Sequence, residues 1–117
     1  MEIGKTLEPM RYEDPETGRE YVLDFNRESV EFAEGRGFDW DYVGSRPMTM
    51  IPLIWYVAHR RYNPRIAKEK TDKLLIARGG IKPKELRKLR ELYDQTFAPL
   101  IAEDDPEDEE GEGKNAE

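Results

Sequence analysis

The side chains that could take part in covalent chemistry are few in this sequence of 117 residues. It contains no cysteine, which excludes a thiol nucleophile, a disulfide and a cysteine-based zinc site. Its single histidine, His59, excludes every site that needs two imidazoles. The adjacent Arg60 and Arg61 would lower the proton affinity of His59 rather than complete a catalytic triad. We therefore expect His59 at a helix surface or a helix end.

Paired carboxylates and glycines give no stronger indication of catalysis. Asp39 and Asp41 are close together, and residues 107–110 are all acidic, but acid–base catalysis needs a walled pocket that separates two pKa values. Gly79-Gly80 lacks the lysine and the Ser or Thr of a phosphate-binding loop, and a helix end explains it better. The acidic run lacks the ligand spacing and turn glycine of a calcium loop. The sequence predicts no enzyme, no cofactor and no metal site.

Charge is distributed unevenly along the chain. Residues 1–45 carry five basic and twelve acidic residues, residues 46–102 carry thirteen and five, and residues 103–117 carry one and nine. The segment 60–90 has a net charge of +9 and could contact phosphates, which makes a nucleic-acid-associated protein one alternative. We favour solvated helix faces, because residues 1–102 together have a net charge of only +1 and contain no recognised nucleic-acid motif.

An apolar run over residues 48–58 is either core or an adaptable groove for a partner helix, since methionine side chains repack easily. Its large side chains and a nearby tyrosine are candidate contact residues: Met48, Met50, Trp55, Tyr56 and Tyr62. A second candidate surface is basic: Arg87, Lys88 and Arg90. The first prediction fails if Met50 and Trp55 are fully buried.

The first elements are predicted to be a hairpin and a helix. The segments 6–12 and 19–25 alternate around a turn that starts at Asp14-Pro15 and ends near Gly18. Asn26 is a good N-cap for a helix from Arg27 to about Arg36. The segment 38–43 alternates like a strand, but Asp39 could also cap a short helical turn, which we prefer.

Three further helices are expected. The first is capped by Ser45 with Pro47 in its first turn, and Pro52 either kinks it or marks its true start. The next is capped by Thr71 and stops at Gly79-Gly80. The last starts at Pro83 and carries an amphipathic stripe of leucines.

The predicted fold class is α+β, with one domain over residues 1–102. A β-hairpin at about 6–25 packs on a small bundle of three to four helices at about 26–102. The segment 103–117 contains no large apolar residue and is expected to be disordered. We find no secretory signal and no run long enough for a membrane span, so we expect a cytoplasmic protein with no membrane partner.

Three phrases of the sequence, in this order and spacing, resemble a family of short proteins from tailed phages and prophages, the tail assembly chaperones. The first phrase is Leu23, Phe25 and Arg27, and the second is Glu34, Gly37 and Phe38. The third is the run from Pro47 through Leu53, Pro-Met-Thr-Met-Ile-Pro-Leu. The resemblance covers about residues 18–102, and an acidic C-terminal segment is also common in the family.

The resemblance implies a non-catalytic role in tail morphogenesis. Proteins of this kind coat the tape measure protein in the host cytoplasm and recruit tail tube subunits, and they are absent from the mature virion. In many phages a frameshift makes a longer second product. A second copy of this chain is left open as a further partner, in a homo-oligomer. A further alternative for the function is a structural tail component that is retained in the virion.

Overall fold

The computed structural model describes residues 7–102 and has the expected α+β architecture. The strands β1 (Met10–Glu13) and β2 (Glu20–Leu23) come first. Four helices follow: α1 (Arg27–Gly35), α2 (Pro47–Arg60), α3 (Lys68–Ala77) and α4 (Pro83–Phe97). Two short 3₁₀ turns, Trp40–Tyr42 and Ala98–Leu100, lie before α2 and after α4. The predicted disorder of residues 103–117 lies outside the described residues.

The hairpin is antiparallel, with Met10 opposite Leu23 and Tyr12 opposite Tyr21. These four side chains are buried, and the intervening positions face outward, as the period of two predicts. Gly18 closes the turn at a φ of 77°.

Both strands are shorter than predicted, because the flanking backbone groups find other partners. The N–H of Leu7 donates to the side-chain oxygen of Gln95, and the N–H of Asp24 donates to the carbonyl of Ala58. Each flank is thereby attached to a helix instead of extending the ladder.

Local capping explains α1 and the first 3₁₀ turn. The side chain of Asn26 accepts from the N–H of Ser29, and the Ser29 hydroxyl oxygen accepts from the N–H of Asn26, which is a reciprocal capping box. Asp39 accepts from the N–H of Asp41 and starts the 3₁₀ turn. The preferred reading of 38–43 as a short helical turn is therefore confirmed, and the strand alternative is wrong.

The helix α2 is the centre of the core. Its residues from Leu53 to His59 are all buried, between the hairpin, α1 and α3. Pro47 occupies the first turn as predicted, but Ser45 does not cap the helix, which follows Arg46 without a side-chain cap. Pro52 lies inside the helix and only removes the hydrogen bond to the carbonyl of Met48 in the first turn, so α2 continues through it.

The predicted cap of α3 is wrong. The helix begins at Lys68, and Thr71 lies one turn inside it, where its hydroxyl donates to the carbonyl of Lys68. The carbonyl of Thr71 accepts from the indole N–H of Trp55 at 2.9 Å, which joins α3 to the core of α2. Gly79 and Gly80 end the helix at positive φ, as expected.

A bidentate ion pair joins the end of α3 to the start of α4. The guanidinium group of Arg78 donates to both carboxylate oxygens of Glu85, at 2.9 and 2.7 Å. The carboxylate also accepts from the N–H of Lys82. The hydrogen bond from Arg78 lowers the pKa of Glu85. The helix α4 itself begins at Pro83 and buries Leu89, Leu92 and Tyr93, which confirms the predicted stripe.

Candidate partner-binding surfaces

The contact residues predicted on α2 do not form a surface. Met50, Trp55 and Tyr56 are 5%, 0% and 8% exposed, so the prediction that they contact a partner is wrong for this fold. The cause is the central position of α2: the ring of Trp55 packs 5.0 Å from that of Tyr12 and its N–H is satisfied inside the protein. A helix that is apolar on nearly every face is buried by the other elements of its own domain.

Met48 and Tyr62 remain exposed, with 88% and 50% of their surface accessible. Met48 is in the first turn of α2, and Tyr62 follows the end of the helix. At 1.5 Å per residue they are about 20 Å apart along the axis. The two side chains therefore belong to different surfaces.

Arg87 and Arg90 line an open groove between the first 3₁₀ turn and α4, which we call the α4 groove. Its volume is about 340 Å³. The other lining residues are apolar or aromatic: Trp40, Val43, Pro83 and Leu86. Lys88 is half-buried and is not part of this lining, since a neighbouring position on a helix points about 100° away.

Aromatic packing positions Trp40 at the groove. Its ring is perpendicular to those of Phe38 and Tyr93, with centroids 4.9 and 5.6 Å away. The guanidinium carbon of Arg90 lies 5.7 Å from the Trp40 ring centroid, within the range of a cation–π interaction. The indole nitrogen Nε1 of Trp40 is buried and finds no hydrogen-bond partner among residues 7–102. Burial raises the pKa of Tyr93, which packs behind Trp40, to about 12.

This arrangement suits an amphipathic segment rather than a small substrate. Apolar side chains of a partner helix could enter along Trp40 and Leu86, while its carboxylates meet Arg87 and Arg90. The groove is open, whereas small-molecule sites usually enclose most of their ligand. The sequence reasoning identified the two arginines, but it missed the 3₁₀ turn as the opposite wall. The alternation of aromatic and acidic residues in 38–43 was the available signal.

A second open cavity lies between β2 and the segment that joins α2 to α3, and we call it the hairpin–α3 cleft. Its volume is about 410 Å³. Three of its lining residues are cations, Arg19, Arg65 and Lys70, and none is a carboxylate. The other lining residues are Tyr21, Tyr62, Asn63, Pro64 and Ile66. The guanidinium group of Arg19 lies 4.8 Å from the Tyr21 ring centroid and donates to the side-chain oxygen of Asn63 at 3.2 Å. The cleft can therefore attract an anionic group.

The basic segment 60–90 is not one continuous face. Arg61 donates to the carboxylate of Asp24 at 2.8 Å, and Arg78 pairs with Glu85. Of the segment's cations, the hairpin–α3 cleft contains Arg65 and Lys70, while the α4 groove contains Arg87 and Arg90. The predicted patch is thus divided between internal ion pairs and separate surfaces.

His59 lies in the last turn of α2, which confirms the predicted helix end, but the alternative of a helix surface is wrong. The side chain is fully buried on α2, because its neighbours there are the tyrosines of the hairpin. Its Nδ1 lies 2.7 Å from the carbonyl oxygen of Trp55, and its Nε2 lies 2.7 Å from the hydroxyl of Tyr12. Because a carbonyl only accepts, Nδ1 carries the proton and the Tyr12 hydroxyl donates to Nε2. Burial lowers the pKa of His59 to about 4, so a neutral imidazole links β1 to α2.

Two further properties concern the described part of the chain. Within residues 7–102, no group of three or more His, Asp or Glu side chains is arranged to hold a metal ion. Over the same residues, no helix is long and apolar enough to cross a membrane.

Comparison with known proteins identifies one family. No curated protein and no solved structure matches the chain. Residues 4–115 match the model of a family described as a domain of unknown function, DUF5055. Because the match covers almost the whole chain, this protein belongs to the DUF5055 family.

Proposed function

We propose that this protein is a non-catalytic tail assembly chaperone of a tailed phage or prophage. It acts in the host cytoplasm, binds the tape measure protein, recruits tail tube subunits and is absent from the mature virion. The three sequence phrases that resemble tail assembly chaperones support the assignment. Two aromatic residues of these phrases, Phe25 and Phe38, pack on Tyr93 of α4 in the core, with ring centroids 5.2 and 5.8 Å away.

The observation that carries the proposal is the composition of the α4 groove. A tape measure protein offers long amphipathic helices that need shielding before the tail tube forms. A helix with an apolar stripe and flanking carboxylates complements the floor at Trp40 and Leu86 and the rim at Arg87 and Arg90. One such groove binds weakly, but many copies along one extended protein gain affinity by multivalency.

Co-expression with the tape measure protein of the same phage tests the proposal. Expressed alone, the tape measure protein is expected to be insoluble. With this protein present, we expect a soluble complex that light scattering shows to contain many copies of this chain for each tape measure protein. A tape measure protein that stays insoluble and binds none of this chain would refute the proposal.

A nucleic-acid-associated role is the second candidate, and the hairpin–α3 cleft is the observation that favours it. Three cations next to the exposed ring of Tyr62 could hold a phosphate and a stacked base. This role requires a DNA affinity that falls steeply with salt. The chaperone role does not require such an affinity, so a titration with oligonucleotides at two salt concentrations separates the two.

A further inference from the structure

We propose that the hairpin–α3 cleft binds the acidic C-terminal segment of its own chain, residues 103–117. This inference does not depend on the proposed chaperone function. It rests on the charge of the cleft, the composition of the segment and the point where the described chain ends.

The charges are complementary. The segment contains nine carboxylates and one lysine, and it has no large apolar side chain. The cleft presents the exposed Arg19, Arg65 and Lys70. Within residues 7–102, none of these three forms an ion pair with a carboxylate. An arginine can take a carboxylate in a bidentate geometry, and the exposed hydroxyl of Tyr62 is a further donor.

Other cavities suit the segment less well. The α4 groove has an apolar floor that a segment without large apolar side chains cannot fill. A cavity beside the hairpin turn contains Lys73, but also the carboxyl groups of Asp14 and Glu16, and Lys70 borders it as well. The cavity behind Trp40 has four carboxylate residues in its lining, which would repel the segment: Glu34, Asp39, Asp41 and Asp94. Of these cavities, the hairpin–α3 cleft and the α4 groove have cations and no carboxylate, and the cleft has three cations where the groove has two.

The segment is long enough to reach the cleft. Fifteen residues span at most about 50 Å when extended. The principal dimensions of the molecule are 59 × 31 × 25 Å. The segment, which follows Ala102, is therefore long enough to span the two shorter dimensions. Bound there, its carboxylates occupy the cations of the cleft and keep nucleic acid and other polyanions away.

A paramagnetic label provides the test on the full chain. Because the sequence has no cysteine, Gly113→Cys introduces a single thiol for a spin label. We expect the label to remove most of the amide signal intensity at Arg19, Tyr62, Asn63, Arg65 and Ile66. Substitution of Arg19, Arg65 and Lys70 by glutamine should restore these signals, and so should 1 M salt, where the Debye length is about 3 Å. Glutamine at three exposed cations elsewhere should leave the broadening in place: Arg27, Arg36 and Lys84.

Several results would overturn the proposal. One is broadening on another face or evenly over the domain, and another is broadening that persists after the three cleft substitutions. The same broadening in an unlabelled ¹⁵N chain that is mixed with a spin-labelled ¹⁴N chain would assign the contact to a second copy. The last result is an equal affinity of a thymidine oligonucleotide for two proteins: the full chain, and a variant in which all nine carboxylates of the segment are changed to amides. That result would make the cleft a nucleic-acid site with no competing segment.

Discussion

The buried imidazole of His59 makes the stability of this protein depend on pH in a window that can be assigned to one residue. The chain has one histidine, and burial lowers its pKa from 6.5 to about 4. Carboxylates titrate mainly below this window and lysines above it. Between pH 7 and pH 5, the protonation difference between the folded and unfolded states should therefore come mainly from His59.

The sign follows from which state binds the proton. Below about pH 6.5 the unfolded chain protonates its histidine, whereas the folded protein, with Nε2 accepting from Tyr12, does so only near pH 4. Stability is therefore complete above the unfolded pKa and falls as the pH drops from 6.5 toward 4. With these two values, the free energy of unfolding decreases by about 2 kcal/mol between pH 7 and pH 5, and by about 3 kcal/mol when the pH reaches 4.

Urea unfolding at pH 7 and pH 5 measures this difference. His59→Gln removes the titrating group, so the difference should nearly disappear in the variant, whatever its stability at pH 7. If the variant does not fold, the imidazole proton signals of the unaltered protein give the same information, because they should not titrate above about pH 5. Equal stability of the unaltered protein at the two pH values, or an imidazole pKa near 6.5, would refute the reasoning.

Two other substitutions test the contacts that hold the helices to the hairpin and to each other. Tyr12→Phe leaves Nε2 of His59 buried without its donor and should lower the free energy of unfolding by about 1–3 kcal/mol. The control is Tyr62→Phe, at an exposed tyrosine, which should change the free energy of unfolding by less than about 0.5 kcal/mol. Glu85→Gln leaves the mostly buried Arg78 with a weaker partner and should lower the free energy of unfolding by about 1–3 kcal/mol. Urea unfolding at pH 7 measures this change, and a value near zero would contradict the role of the pair.

Local sequence signals predicted those parts of the fold that depend on a few neighbouring residues. Asn26 caps α1, Pro83 starts α4 and Gly79-Gly80 ends α3, because each of these residues acts on its own turn of backbone. Thr71 was predicted to be a helix cap from the same kind of local signal. Its hydroxyl and carbonyl are instead used inside α3, and the carbonyl partner, Trp55, is sixteen residues away.

The candidate surfaces were harder to predict because they depend on which elements pack together. Hydrophobicity alone could not show that Trp55 would be covered on all sides while Met48 stayed exposed. Arg87 and Arg90 could be recognised as a basic face from their spacing. Their apolar partner, Trp40, lies some fifty residues earlier and reaches them only through its packing on Tyr93.

The central claim is that the α4 groove holds helices of the tape measure protein. The most direct test is the number of chains bound to each tape measure protein when Arg87→Glu and Arg90→Glu are combined. The matched control combines Arg27→Glu at the start of α1 with Arg36→Glu just after its end, which changes the charge equally. Arg27 and Arg90 each lie near an acidic residue one turn away, at 3.8 and 3.9 Å, and Arg36 and Arg90 each lie over an aromatic ring. We predict that the groove variant folds but loses most of the bound copies while the control keeps them. Equal copy numbers for the two variants would contradict the assignment of the groove.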